Sequence, residues 1–300
     1  MKSIDDYSLI TYLLKRFYTK NISVHPNSEN LALILAQHPK LICAINHGTS
    51  AAPAPAFMGI FDNYLKNGGD RRKPLIIAWR GFYKVPVIKQ LIAYFTQASH
   101  GMTASEFLEK MKGQGFTDLF VMPEGENCLF GDGDQIVPFL SPKFIELSVL
   151  LNIPILVTAH NGTEELCTPV SFSAAQLNRM KWLPRRYLRV LESTQTFGIP
   201  HFTKHDIEKV GLYFRLYQPT LKAEDLSETE VDRREQLQKE ADKVRAMMIS
   251  MKQELDVNSI ESSSVERKTD ISYISNKKKG RDILKKGYLK KPAKNRQISK

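Results

Sequence analysis

The chain has 300 residues, 42% of them hydrophobic, and a formal net charge of +11. That supports one sizeable core with appendages. Cys43, Cys128 and Cys167 are too widely spaced for a disulfide framework or a paired-cysteine metal motif, and they suit a reducing compartment.

The opening Met1-Lys-Ser-Ile-Asp-Asp lacks the basic-then-apolar pattern of a signal peptide. No apolar run reaches the length of a membrane span. The nearest, 144–159, is broken by Glu146, Asn152 and Pro154. Residues 4–19 carry Ile4, Tyr7, Leu9, Ile10, Leu13, Leu14 and Phe17 at helical spacing, with Lys15, Arg16 and Lys20 toward the end. They predict an amphipathic helix, packed on the domain or contacting a lipid monolayer.

Residues 31–37 and 41–45 read as strands, 52–66 as a helix beyond the Pro53/Pro55 turn, and 75–79 as a strand. Helices are expected over 87–97 and 104–112, the second capped by Thr103. A strand over 118–122, a helix over 142–151 and a strand over 153–159 follow. This alternation predicts an α/β fold with a mixed, largely parallel sheet flanked by helices. Residues 226–255 form a charged helical pattern with few signs of deep burial. From Val257 onward there are thirteen Lys and Arg against four Asp and Glu, a net +9, which leaves +2 for residues 1–256. Such a segment is expected to be disordered. It suits anionic lipid, and nucleic acid would attract it as well. The predicted organisation is a helical segment over 1–35, an α/β domain over 36–220, a charged helix over 221–256 and a basic tail over 257–300.

The chemistry concentrates in two turns. Asn46-His47-Gly48-Thr49 follows the apolar run 41–45, and Pro123-Glu124-Gly125 follows the strand near 120. Strand ends are where α/β proteins place their sites. A histidine there can act as a general base near neutral pH. Other patterns in the chain are weaker. Asp132-Gly-Asp134 lacks the later ligands of a calcium loop, and Gly113-x-Gly115 lacks a dinucleotide site's third glycine. His201 and His205 lack the metalloprotease glutamate, and Ser50 has no hydrolase-elbow setting. No metal is expected.

With the blocks 46–47, Phe82-Tyr83-Lys84-Val85-Pro86, Val121-Met122-Pro123-Glu124-Gly125 and Ile153-Pro154-Ile155-Leu156-Val157 in this order and spacing, residues 36–220 resemble the glycerolipid acyltransferases, the glycerol-3-phosphate and lysophosphatidic acid acyltransferase group. Two positions differ from that family. Ala52 stands where its acid falls, five residues after the histidine, and Glu126-Asn127 stands where Thr-Arg follows Pro-Glu-Gly.

The resemblance implies an O-acyltransferase that moves a fatty acyl group from acyl-CoA or acyl carrier protein to a glycerolipid hydroxyl, in phospholipid synthesis or remodelling, without a cofactor. His47 would be the base, and Glu124 a catalytic partner. Arg80, Tyr83, Lys84, Pro123, Gly125, Glu126 and Asn127 would contact substrate. Glu124, Glu126 or a backbone carbonyl would hold the second nitrogen of His47 in place of the missing Asp. The protein would sit in the cytoplasm, peripherally on an anionic membrane through its tail. Two alternatives stand beside this. One is a catalytically inactive lipid-binding relative; the other is an acyltransferase whose acceptor carries no phosphate. Nucleic-acid binding is disfavoured, because residues 1–256 are nearly neutral and contain no recognition motif.

Overall fold

The computed structural model describes residues 1–49, 52–113, 115–129, 135–180, 182, 185–201 and 207–287. It divides into two units, Met1–Leu255 and Asp256–Lys300.

The chain runs α1 (Ser8–Tyr18), β1 (Thr19–Val24), α2 (Leu31–Gln37), β2 (Leu41–Ile45), α3 (Pro53–Lys66), β3 (Pro74–Ile76), α4 (Pro86–Thr96) and α5 (Ala104–Lys112). It continues with β4 (Asp118–Val121), α6 (Lys143–Leu151), β5 (Ile155–Asn161), β6 (Cys167–Ser171), α7 (Ala174–Arg179), α8 (Arg185–Thr194), β7 (Thr196–Pro200), β8 (Ile207–Tyr217) and α9 (Glu230–Gly287). Six strands form one sheet in the order β1-β8-β5-β2-β4-β3, and β6 pairs with β7 in a separate antiparallel ribbon. Only the β5–β8 pairing in the large sheet is antiparallel. The fold is therefore α/β with a mixed, largely parallel sheet, as the alternation predicts.

Each face of the sheet has its own core, because successive strand residues point to opposite sides. Ile42, Ala44, Leu119, Val121, Ile155 and Val157 meet α5, α6 and α9 on one face. Leu41, Cys43, Ile45, Phe120 and Leu156 meet α2, α3 and Tyr7 on the other. Full burial of each Leu, Ile, Val or Phe side chain among them is worth about 1.5–3 kcal/mol, and Phe120 also packs its ring against Phe57, Phe61 and Tyr64.

Two expectations are corrected. Residues 31–37 are a helix, not a strand. Asn30 caps it by accepting from the Leu33 N–H at 3.2 Å, and Leu31, Ile34 and Leu35 form the buried stripe. The charged helix starts at Glu230 and is deeply buried on one side. Leu237, Ala241, Val244, Met248, Met251 and Leu255 repeat at alternating four- and three-residue steps and join the core. Helix α9 continues as far as Gly287. Its Lys, Arg and Glu residues are good helix formers, and no proline interrupts 230–291. Lys290 and Lys291 lie outside the described residues.

Thr103 caps α5 as expected. Its hydroxyl accepts from the Glu106 N–H, while Glu106 accepts from the Thr103 N–H at 2.6 Å. Residues 19–24, within the predicted N-terminal helical segment, form the edge strand β1 beside β8. No helix among the described residues is long and apolar enough to cross a membrane.

Candidate active site

Adjacent parallel strands β5, β2 and β4 end side by side, and the polar turns that leave them build one site. The turn after β2 is tied to the end of β5. Asn46 donates from Nδ2 to the His160 carbonyl at 3.1 Å, and its Oδ1 accepts from the His160 N–H at 2.8 Å. It is tied to the turn after β4 by Glu124. Oε1 of Glu124 accepts from the His47 N–H at 2.6 Å, and Oε2 accepts from the Val137 N–H at 3.0 Å. One buried carboxyl thus holds two loops in register. Burial raises its pKa from 4.5 to about 7.

The His47 ring is oriented by a main-chain group. Nδ1 lies 3.2 Å from the Thr49 carbonyl oxygen. A carbonyl only accepts, so Nδ1 carries the proton and Nε2 keeps its lone pair. Burial lowers the His47 pKa to about 4, which keeps the ring neutral at pH 7. Of the three acceptors expected for the ring, the backbone carbonyl is the one present, that of Thr49; neither Glu124 nor Glu126 takes that place, and Glu124 grips the His47 backbone instead.

A second histidine lies behind the first. His160 is fully buried, with Nε2 at 2.7 Å from the Asn46 carbonyl and Nδ1 at 3.2 Å from Thr163 Oγ1. The carbonyl fixes the proton on Nε2, so Nδ1 accepts from the threonine hydroxyl. Burial lowers its pKa to about 3. Gly48, at φ +63°, passes so close that a Cβ there would lie 3.0 Å from both His160 Cε1 and Thr163 Oγ1. Ala52 is fully buried beside it.

The other expected site residues divide into two groups. Pro123 and Gly125 belong to the Glu124 turn. Gly125 has φ +57°, and its N–H is already given to the Met122 carbonyl at 3.1 Å, so it does not donate to a substrate. Glu126 and Asn127 follow in a short 3-10 turn, Gly125–Leu129, where Asn127 Nδ2 donates to the Pro138 carbonyl at 3.3 Å. Arg80, Tyr83 and Lys84 lie in another 3-10 turn beyond β3. Arg80 donates to the Met102 carbonyl at 3.1 Å, Tyr83 pairs with Thr96 at 2.9 Å, and Lys84 is exposed. The cations whose charge acts on Glu124 come from α9 instead. Arg245 donates from Nε to the Val137 carbonyl at 3.1 Å and from Nη2 to Ile136 at 2.6 Å. Lys252, nearly fully buried, pairs with Glu164 at 3.4 Å.

His160, Arg245 and Lys252 are absent from the sequence-derived set. For His160 the signal existed: it ends the apolar run 155–159 much as Asn46 and His47 end 41–45. No comparable signal marks the two cations. Ser50, His205 and Asp132-Gly133-Asp134 lie outside the described residues, among which no group of three or more His, Cys, Asp or Glu side chains could hold a metal ion.

The arrangement offers a neutral imidazole with one oriented lone pair, a titratable carboxyl behind it, and two cations nearby. No protein-family model, curated protein or solved structure matches this chain.

Proposed function

We propose that this protein is an O-acyltransferase that moves a fatty acyl group from an acyl thioester, acyl-CoA or acyl carrier protein, to a glycerolipid hydroxyl at a membrane surface. The observation that carries it is the Nδ1-to-Thr49 bond, which leaves Nε2 of His47 free. A base for an alcohol needs that lone pair and a fixed tautomer. The Thr49 carbonyl serves where the resembled family has an Asp and this chain has Ala52.

In the reaction, Nε2 takes the acceptor's hydroxyl proton as its oxygen attacks the thioester carbonyl. The tetrahedral adduct then collapses, the C–S bond breaks, and the proton on Nε2 passes to the leaving thiolate. Glu124 acts as a positioning residue through the His47 backbone. Arg245 and Lys252 supply positive potential to this end of the sheet, where the donor or acceptor phosphate would approach.

One observation favours the second reading, an acceptor without phosphate: Asn127 replaces the family's arginine, and its amide is bonded to Pro138. The test offers labelled acyl-CoA and acyl carrier protein with lyso-phospholipids, glycerol phosphate and diacylglycerol. His47→Ala is expected to lower product formation by about a hundred- to ten-thousandfold. Unchanged product in that variant would place the base elsewhere. No product with any donor–acceptor pair, from protein that still binds vesicles, would assign the chain to lipid binding alone.

A further inference from the structure

The segment 79–94 has an apolar surface that the fold leaves uncovered. Helix α4 is built from Pro86-Val-Ile-Lys-Gln-Leu-Ile-Ala-Tyr-Phe-Thr96, yet Thr96 is its only buried residue. Val87 is 81% exposed, Leu91 57%, and Trp79 in the preceding turn 56%. Phe82, Val85 and Tyr94 are exposed as well. An eleven-residue helix is marginal in water without a partner for its apolar face, and a contiguous apolar patch marks an interaction surface.

We infer that the 3-10 turn Arg80–Lys84 and helix α4 form a docking surface for the headgroup and upper acyl region of an anionic phospholipid bilayer. Charge selects this occupant. Residues 73–105 contain Lys73, Arg80, Lys84 and Lys89, and no Asp or Glu. Exposed Lys84 and Lys89 flank the apolar side chains, as in interfacial helices, where bulky apolar groups enter the boundary and cations meet phosphate. A second copy fits poorly. A two-fold contact through this patch would set Lys84 and Lys89 against the same cations.

Position supports the same assignment. The turn leaves the carboxyl end of β3, whose parallel neighbour β4 leads at that same end into Glu124. A bilayer held there would meet the carboxyl end of the strands that lead into His47 and Glu124. This deepens the acyl-transfer reading, on which its link to the site rests; the docking itself does not depend on catalysis.

The test is co-sedimentation of the full chain with vesicles of phosphatidylcholine alone and of an equal mixture with phosphatidylserine. Wild type and Val87→Asp/Leu91→Asp are compared. Both side chains are exposed, so the variant should keep the wild-type Tm. Wild type is expected to bind the mixed vesicles, and the variant at least about tenfold more weakly, because two apolar insertions are replaced by charges. Wild-type binding by the variant would overturn the assignment. So would a wild-type dimer that becomes monomeric in the variant while neither binds vesicles, since that result makes the face a contact between copies.

Transfer from a short-chain thioester to glycerol phosphate without vesicles separates the two proposals. Turnover kept by the variant, with vesicle binding lost, supports both. Binding lost in the variant, with no turnover by either protein on this phosphate acceptor or on a soluble short-chain diacylglycerol, supports the docking surface and removes the acyltransferase reading.

Discussion

The two ends of strand β4 handle buried charge in opposite ways. At the start, Asp118 is fully buried and meets Arg72 in a bidentate pair, Nε to Oδ2 at 2.7 Å and Nη2 to Oδ1 at 2.8 Å. Arg72 Nη1 also donates to the Leu35 and His38 carbonyls. Asp118 further accepts from Thr117 and Tyr64, and Tyr64 shares its hydroxyl with Cys43 at 2.8 Å. These charged groups are satisfied by one another, which is how a low-dielectric interior tolerates ions. Just past the other end, Glu124, His47 and His160 face no bidentate partner. Burial shifts all three toward their neutral forms, as it does Asp118, but here no bidentate ion pair opposes the shift and the ordering bonds are mainly to the backbone. A closed ion pair fixes structure, whereas neutral titratable groups with one lone pair to spare can move a proton. The difference marks the second end as the chemical one.

Breaking the closed end should have the largest effect on stability. Arg72→Ala leaves Asp118 buried and unpaired, and is expected to cost about 3–5 kcal/mol in chemical denaturation. A loss below about 1 kcal/mol would mean that the pair does not anchor the sheet.

The next effect belongs to Glu124 and depends on pH. Its folded pKa of about 7 lies above the ordinary 4.5, so between those values the native state holds a proton that the unfolded chain has released. Its contribution is complete below 4.5 and is lost as pH rises through about 7. Wild type should therefore lose stability relative to Glu124→Gln at about 1.4 kcal/mol per pH unit across this window. His47 and His160 act in the opposite direction, losing stability as pH falls below 6.5, but both proteins contain them. The difference between the two denaturation series isolates the carboxyl, and parallel series would show that Glu124 stays ionised.

The smallest effect sharpens the contrast at the backbone. Gly48→Ala forces a side chain into φ +63° and toward His160 and Thr163. A cost of about 1–2 kcal/mol is expected from conformation alone. If thermal denaturation shows none, the turn after β2 adapts freely, and the preorganisation argued for His47 fails.

Legibility from sequence varied along the chain for physical reasons. Helix α5 was readable because its cap and stripe lie within a few residues, at Thr103, Glu106, Phe107 and Met111. Helix α2 reads as a strand because six apolar residues and Gln37 suit a buried strand and a short helix alike, and only Asn30 separates them. The buried stripe of α9 was present at Leu237, Ala241, Val244, Met248, Met251 and Leu255, but charged residues between those positions masked it. Strand β8 was not anticipated; Glu208, Lys209 and Gly211 interrupt its apolar pattern.

What the sequence determined by itself was therefore local: an α/β alternation, and His47 and Glu124 in polar turns after apolar strands. Periodicity and turn chemistry act over a few residues, so a single chain read linearly contains them. The tertiary structure decided everything that depends on strand order. It set β5 beside β2, so that Asn46 exchanges hydrogen bonds with His160 across 114 residues of sequence. It brought Glu124 to the His47 backbone across 77 residues, leaving the ring to Thr49. It also laid α9 against the sheet, which carries Arg245 and Lys252 to the site. These partners are distant in sequence, and no local pattern encodes which strand lies next to which.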